Sequence, residues 1–170
     1  MNGFDRSRHG YLGVTLIELM FSLALLALLA GLAAPGFRAS LRASAIRAAT
    51  FELAAGLQQA RANSILQSRP AVFCPTDSSG NCLDSGPAAG WRAFLETGSS
   101  QADLGGQALP GDVVLRTTRS PIRFWPDSSG ASAGTLTICD DQHVASPRAI
   151  VISATGRARM DTGTPGACDP

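Results

Sequence analysis

The chain has 170 residues, 45% of them hydrophobic and 16% charged, with a formal net charge of +1. So even a balance says little by its total, and the length allows one soluble domain with a modest core. All 14 basic residues are arginine, whose planar fork suits bidentate contact with phosphate, although a bias toward Ala, Gly and Arg codons would give the same count.

The chain opens with a short polar stretch carrying Asp5, Arg6, Arg8 and His9, then reads Gly13-Val14-Thr15-Leu16-Ile17-Glu18-Leu19-Met20 and continues almost without interruption as an apolar run to Ala34, followed by Pro35-Gly36-Phe37. At ~1.5 Å per residue, a helix from Leu16 to Phe37 covers a hydrocarbon core of roughly 30 Å. Glu18 is its single charge. A carboxylate in such a segment costs about 2.5 to 3.5 kcal/mol near the helix centre and less near an end, so it is expected to have a partner and a task. A secretory signal peptide would share the basic leader and the small residues Gly31 to Ala34, but it has no reason to carry an acid. Arg6 and Arg8 favour a cytoplasmic N-terminus, which puts the rest of the chain across the membrane.

Gly13-Val14-Thr15-Leu16-Ile17-Glu18 resembles the processing site of type IV pilins and type II secretion pseudopilins. The resemblance implies a prepilin peptidase cut between Gly13 and Val14 and methylation of the new N-terminus. It also implies that Glu18 pairs with the N-terminus of a neighbouring subunit during assembly. Pro35 falls where pilins commonly place a helix-perturbing proline. The expected plan is a leader over residues 1–13, a transmembrane and assembly helix over 14–37, and a soluble domain over 38–170.

Residues 38–68 are rich in Ala, Leu, Gln, Arg and Glu and contain no proline, so the helix is expected to continue outward as an amphipathic one until Pro70 ends it. Ile46, Ala49, Leu53, Leu57, Ala60 and Ser64 recur at helical spacing and form a narrow face of mostly small residues, suited to lying on a sheet. The whole helix would be roughly 80 Å long, with Pro35-Gly36 as a weak point.

From residue 71 onward, short β-like runs alternate with turn residues, which predicts an antiparallel sheet and an α+β class. Strands are expected at 71–74, 91–96, 112–118, 122–125, 135–139, 149–154 and 157–160. Asp-Ser-Ser-Gly occurs at Asp77 to Gly80 and again at Asp127 to Gly130, as loop chemistry. The glycine- and serine-rich stretch from Thr97 to Gly111 reads as a mobile loop.

Cys74, Cys82, Cys139 and Cys168 all follow the membrane segment, an even number that fits an oxidising, periplasm-like compartment. Pairing Cys74 with Cys82 closes a loop around the Asp77 turn, and pairing Cys139 with Cys168 ties down a Gly- and Pro-rich tail. No C-x-x-C supports a zinc site. No cofactor or metal is expected. The one histidine after the leader, His143, lies beside Asp140 and Asp141 with no G-x-S-x-G elbow, so the reading is not an enzyme. Trp91 and Trp125 read as core or interface aromatics.

Gly90-Trp91-Arg92-Ala93-Phe94, Ile122-Arg123-Phe124-Trp125-Pro126-Asp127, Leu136-Thr137-Ile138-Cys139 and the run from Arg148 to Arg159 are similar, in order, to strand segments of GspH/FimT-like minor pilins. That likeness implies the type IV pilin-like fold: a long N-terminal helix packed on an antiparallel sheet. Within it, Gly156-Arg157-Ala158-Arg159 puts two arginines on one face of a strand beside a glycine. In FimT-like minor pilins a matching G-R-x-R motif is associated with binding DNA in natural transformation, which assigns Gly156, Arg157 and Arg159 to sequence-independent contact with double-stranded DNA. Six arginines between Arg116 and Arg159 (also Arg119, Arg123 and Arg148) face three acids, a modest basic patch. A solvated sheet edge whose arginines prevent mispairing explains them equally well. The resemblance therefore implies a minor type IV pilin held in the bacterial inner membrane by a single pass, with its C-terminal domain periplasmic. It would enter the pilus near the tip with other pilin subunits and help it catch DNA. The same superfamily also contains structural type II secretion minor pseudopilins and priming subunits that bind no ligand, and both alternatives stay open.

Processing and assembly rest on different residues. A bulky replacement at Gly13 is expected to leave the leader attached, whereas Glu18→Ala is expected to be cut normally and to assemble poorly. Intact mass of the membrane form checks both, and a mature chain beginning near Ala34 would instead mark an ordinary signal peptide.

Overall fold

The computed structural model describes residues 14–98, 100–127, 130–163 and 167–168, with the side chains of residues 33–35, Pro35 among them, outside the description. A single helix, α1 (Leu16–Leu66), precedes eight strands. These are β1 (Ala71–Thr76), β2 (Gly90–Thr97), β3 (Ser100–Ala108), β4 (Val113–Thr117), β5 (Ile122–Phe124), β6 (Gly134–Asp140), β7 (Arg148–Ile152) and β8 (Ala158–Thr162). The chain divides into two compact units, residues 1–38 and 39–170. The architecture is the predicted one, a long N-terminal helix followed by antiparallel sheets.

In the second unit the strands form two four-stranded sheets, ordered β3-β2-β1-β5 and β4-β6-β7-β8. Paired backbone bonds between Ala88 and Leu115 join them. The helix lies over both. Ile46, Ala49, Leu53, Leu57 and Ala60 are buried in one core with Phe73, Leu95, Leu115, Phe124, Leu136, Ile138, Ile150 and Ile152. Alanine at every second or third of these helical positions keeps the helix axis close to strands that are themselves bulky. Ser64, at the end of the same stripe, is fully buried and its hydroxyl donates to the Phe124 carbonyl at 3.0 Å.

Trp91 stacks on Phe73, with ring centroids 5.2 Å apart. Its six-membered ring fills the space a side chain at Gly56 would need. The helix interior tolerates glycine here because the indole supplies the packing that a Cβ would have supplied.

Within 97–111, expected as a mobile loop, Ser100–Ala108 form instead the edge strand β3, paired with β2 on both sides of a bulge. Its glycines serve the pairing rather than looseness. The register shifts between Ala93 and Phe94, opposite Leu104, and Gly105 takes φ +115° in that bulge. A Cβ on Gly106 would press into the Arg92 backbone and the Trp91 carbonyl. Glycines thus mark a bulge and a close strand approach.

Two disulfides close the loops. Cys74 is bonded to Cys82 and Cys139 to Cys168. Inside the first loop Asp77 accepts the N–H groups of Ser79 and Asn81 at 2.8 and 2.9 Å, so the turn holds itself.

Arg42 ties α1 to the second sheet. Its Nη1 donates to Asp140 Oδ1 at 2.7 Å, and its Nη2 lies 3.3 Å from Asp112 Oδ2. Asp140 is buried, and its carboxylate also accepts from the N–H groups of Gln142, Val144 and Ala145. Burial alone raises its pKa, but the N–H groups of Ala145 and Gln142, the Arg42 guanidinium and the Val144 N–H outweigh that and hold it below the ordinary carboxylate value. A carboxyl depressed on folding stabilises the fold above its unfolded pKa, about 3.9, and that contribution is lost as pH falls through the folded value.

Two outcomes are expected in thermal unfolding. Gly56→Ala, which normally gains ~1 kcal/mol in a helix, is expected to lose about 1 to 3 kcal/mol by overpacking against Trp91; a raised midpoint would show that the indole moves aside freely. Asp140→Asn is expected to cost about 1 to 3 kcal/mol at neutral pH, with the gap to the parent closing below about pH 4. A gap unchanged in acid would remove Asp140 from the pH dependence.

Candidate functional site

At the start of α1 Thr15 serves as the N-cap. The Thr15 hydroxyl accepts the Glu18 N–H at 3.4 Å while the Thr15 carbonyl accepts from Leu19 at 3.1 Å. The Glu18 charge therefore stands in the first turn, where the helix dipole favours an anion. It is exposed, and so are Leu16, Ile17, Leu19, Met20 and Phe21 around it. Gly13 lies outside the described residues, and Val14 is exposed. Among the described residues no single helix is long and apolar enough to cross a membrane, but the segments Leu16–Leu32 and Gly36–Leu66 together meet that test of length and composition.

The Gly-Arg-Ala-Arg motif lies at the entry to β8, the outer strand of its sheet. Gly156 takes φ +75° in a tight turn whose N–H donates to the Ser153 carbonyl at 2.8 Å. The Ser153 hydroxyl accepts the Arg157 N–H at 3.1 Å and the Ser153 N–H donates to the Arg157 carbonyl at 3.0 Å, so the strand register begins immediately after the glycine. In that register Ala158 and Met160 oppose the buried Ile152 and Ile150, while Arg159 opposes Val151. Arg157 and Arg159 therefore share the face turned away from the helix, about 6.6 Å apart along the strand. Both are exposed.

The broader patch separates. Arg123 belongs to the other sheet and is ion-paired with Glu96. Arg148 opposes Ile138 and Thr162, which puts it on the helix side. Arg116 does share the face of Arg159, in the row Arg116, Thr137, Ala149, Asp161, but from β4, three strands or about 14 Å away. Arg119 follows β4 beside Gly134.

One arginine that sequence reasoning missed joins the motif. A Cβ on Gly156 would lie 3.3 Å from Arg61 Nε and 3.4 Å from its Cζ, so the guanidinium of this helix residue packs against the bare side of the glycine. Nothing in the local sequence announces this, because Arg61 precedes Gly156 by most of the domain. Among the described residues the ion pairs use Arg42, Arg92 and Arg123 and include none of Arg61, Arg157 and Arg159, although Asp161 shares the face of the last two. No group of three or more His, Cys, Asp or Glu among them is placed to hold a metal ion.

The model of the family described as type II transport protein GspH matches residues 49–156, well over half of the chain. The chain belongs to the GspH family. The prokaryotic N-terminal methylation motif matches residues 8–34, across the Gly13 to Glu18 segment. This GspH-family chain is thus a minor pilin or pseudopilin of the type IV pilus or type II secretion class, made as a membrane-anchored precursor that is processed and assembles with other pilin subunits. Family members and structural neighbours are structural subunits rather than enzymes. The GspH match stops at Gly156, so Arg157 and Arg159 lie just beyond it.

Solved structures agree on the fold. The type IV minor pilin FimU of Pseudomonas aeruginosa superposes with a TM-score of 0.56 at 20% identity, over 73% of this chain and 95% of that one. The minor pseudopilin EpsH of the type 2 secretion system of Vibrio cholerae gives 0.53 at 11% identity, over 69% and 96%. Among curated proteins none matches.

Proposed function

We propose that this chain is a minor type IV pilin of the FimT/FimU-like kind, stored in the bacterial inner membrane with residues 38–170 in the periplasm and incorporated near the pilus tip, where it binds double-stranded DNA for uptake. Residues 1–13 are its leader, residues 14–37 its membrane and assembly helix, and Glu18 the residue that meets the neighbouring N-terminus. The observation that carries the DNA reading is the turn at Gly156, which presents Arg157 and Arg159 from one exposed face of an edge strand, with no acid ion-paired to either among the described residues. Two guanidiniums so placed suit successive phosphates on one backbone and carry no means of reading bases.

A second reading, a structural minor pseudopilin of type II secretion, draws support from the family match and from the fold shared with EpsH. On that reading Arg157 and Arg159 guard the strand edge and bind nothing.

If the first reading holds, duplex of any sequence binds the processed chain in detergent with Kd of about 10⁻⁴ to 10⁻⁶ M at physiological salt and weakens steeply as salt rises. Replacing Arg157 and Arg159 together by glutamine is expected to remove most of that binding and lower transformation while leaving incorporation into the fibre unchanged. Fluorescence anisotropy measures the first and uptake assays the second. Failure of the parent chain to bind even at low salt would leave the pseudopilin reading in place.

A further inference from the structure

β8 does not stand alone at the sheet edge, because α1 runs beside it. At the Gly156 end the strand is met by Arg61. At the other end Arg47, Phe51, Arg148 and Met160 enclose a small hollow of about 120 Å³. Arg47 and Arg148 are exposed and, like Arg61, lack an ion-pair partner among the described residues. Phe51 and Met160 are 61% and 54% exposed and give that hollow an apolar floor, which keeps water from one side of the two guanidiniums and strengthens their attraction for an anion. The acids nearest in sequence are Glu52 on the helix and Asp161 on the strand. Asp161 stands on the other face, two residues from Arg159 and in the row of Arg116, so the motif pair meets a phosphate beside one carboxylate.

We propose that the DNA site is a track along the open edge of β8, in which Arg61 at the head and Arg47 and Arg148 at the foot hold phosphates together with Arg157 and Arg159. The inference rests on the DNA reading above and extends it from a two-residue motif to a five-arginine surface built by the helix and the strand together. From Arg61 to Arg47 the helix rises about 21 Å, the length of about six phosphates on one strand of a duplex. The helix-side arginines and the motif pair flank the open strand edge from opposite faces, so a backbone laid along that edge meets both rows.

The test is the salt dependence of binding, measured by anisotropy with a duplex of arbitrary sequence and the processed chain in detergent. Each lost phosphate contact lowers the slope of log K against log salt by about 0.9. Arg61→Gln is therefore expected to lower it by about 0.9, and Arg47→Gln with Arg148→Gln by about 1.8. Arg61→Lys is expected to restore the slope, which separates lost charge from lost packing, and Arg116→Gln with Arg119→Gln is expected to leave it unchanged. If the Arg61 and Arg47/Arg148 variants bind like the parent while the Arg157/Arg159 variant does not, the track is wrong and the two-residue site stands. Unaltered binding by Arg47→Gln with Arg148→Gln, coupled to poor incorporation into the fibre, would make the foot a contact with another subunit and equally overturn the track. No binding by the parent chain removes the DNA reading itself.

Discussion

The domain depends on one seam, the line where the stripe from Ile46 to Ser64 meets both sheets. Neither sheet can be stable with its inner face in water, and the narrow helix face has no other apolar surface to cover. The stripe alternates Ala49 and Ala60 with Ile46, Leu53 and Leu57, and truncating one of the large members would cost on the order of 2 to 5 kcal/mol. Everything else is placed relative to this seam. Arg42 and Ser64 anchor it with polar bonds at either end, and Trp91 uses the gap at Gly56 to lock it from the first sheet. The candidate arginine surface is a by-product of the same geometry, because β8 lies beside the helix that the seam holds down.

Much of this was legible in the residues because their signals are periodic or local. The helix stripe shows itself by spacing alone, and its six predicted members are all buried. Most strands were readable because β-rich runs are short and bounded by turn residues. β3 was hidden because glycine reads as looseness in a sequence, and only the opposing strand reveals that Gly105 and Gly106 are used for a bulge and a close approach. The Arg42 to Asp140 pair and the contact of Arg61 with Gly156 were hidden for another reason. Each joins positions nearly a hundred residues apart, and a charged side chain on a helix carries no local mark of what it will meet. The six-arginine patch shows the converse error, since nearness in sequence suggested one surface where strand alternation and sheet order distribute those residues over three.

Gly156 links the two levels of reading. As a letter it opens a short motif; as a conformation it allows the reversal at φ +75°, which any residue with a Cβ would adopt under strain. Its missing side chain then admits Arg61. One position thus turns the chain, starts the β8 register that faces Arg157 and Arg159 outward, and lets the helix contribute a third cation.

The shape of β3 bears on a different problem. A subunit meant to polymerise carries a hazard that a monomer does not, because any second self-complementary surface gives branched or amorphous aggregates. β3 leaves one side of its backbone unpaired over nine residues, long enough to template a strand from another copy. The bulge at Leu104 breaks that ladder in the middle, and the charge of Asp103, 3.9 Å from Arg92, stands on that edge strand. The edge at β3 is thereby made a poor partner for its own copy, which keeps a strand-to-strand contact from competing with the ordered assembly of subunits.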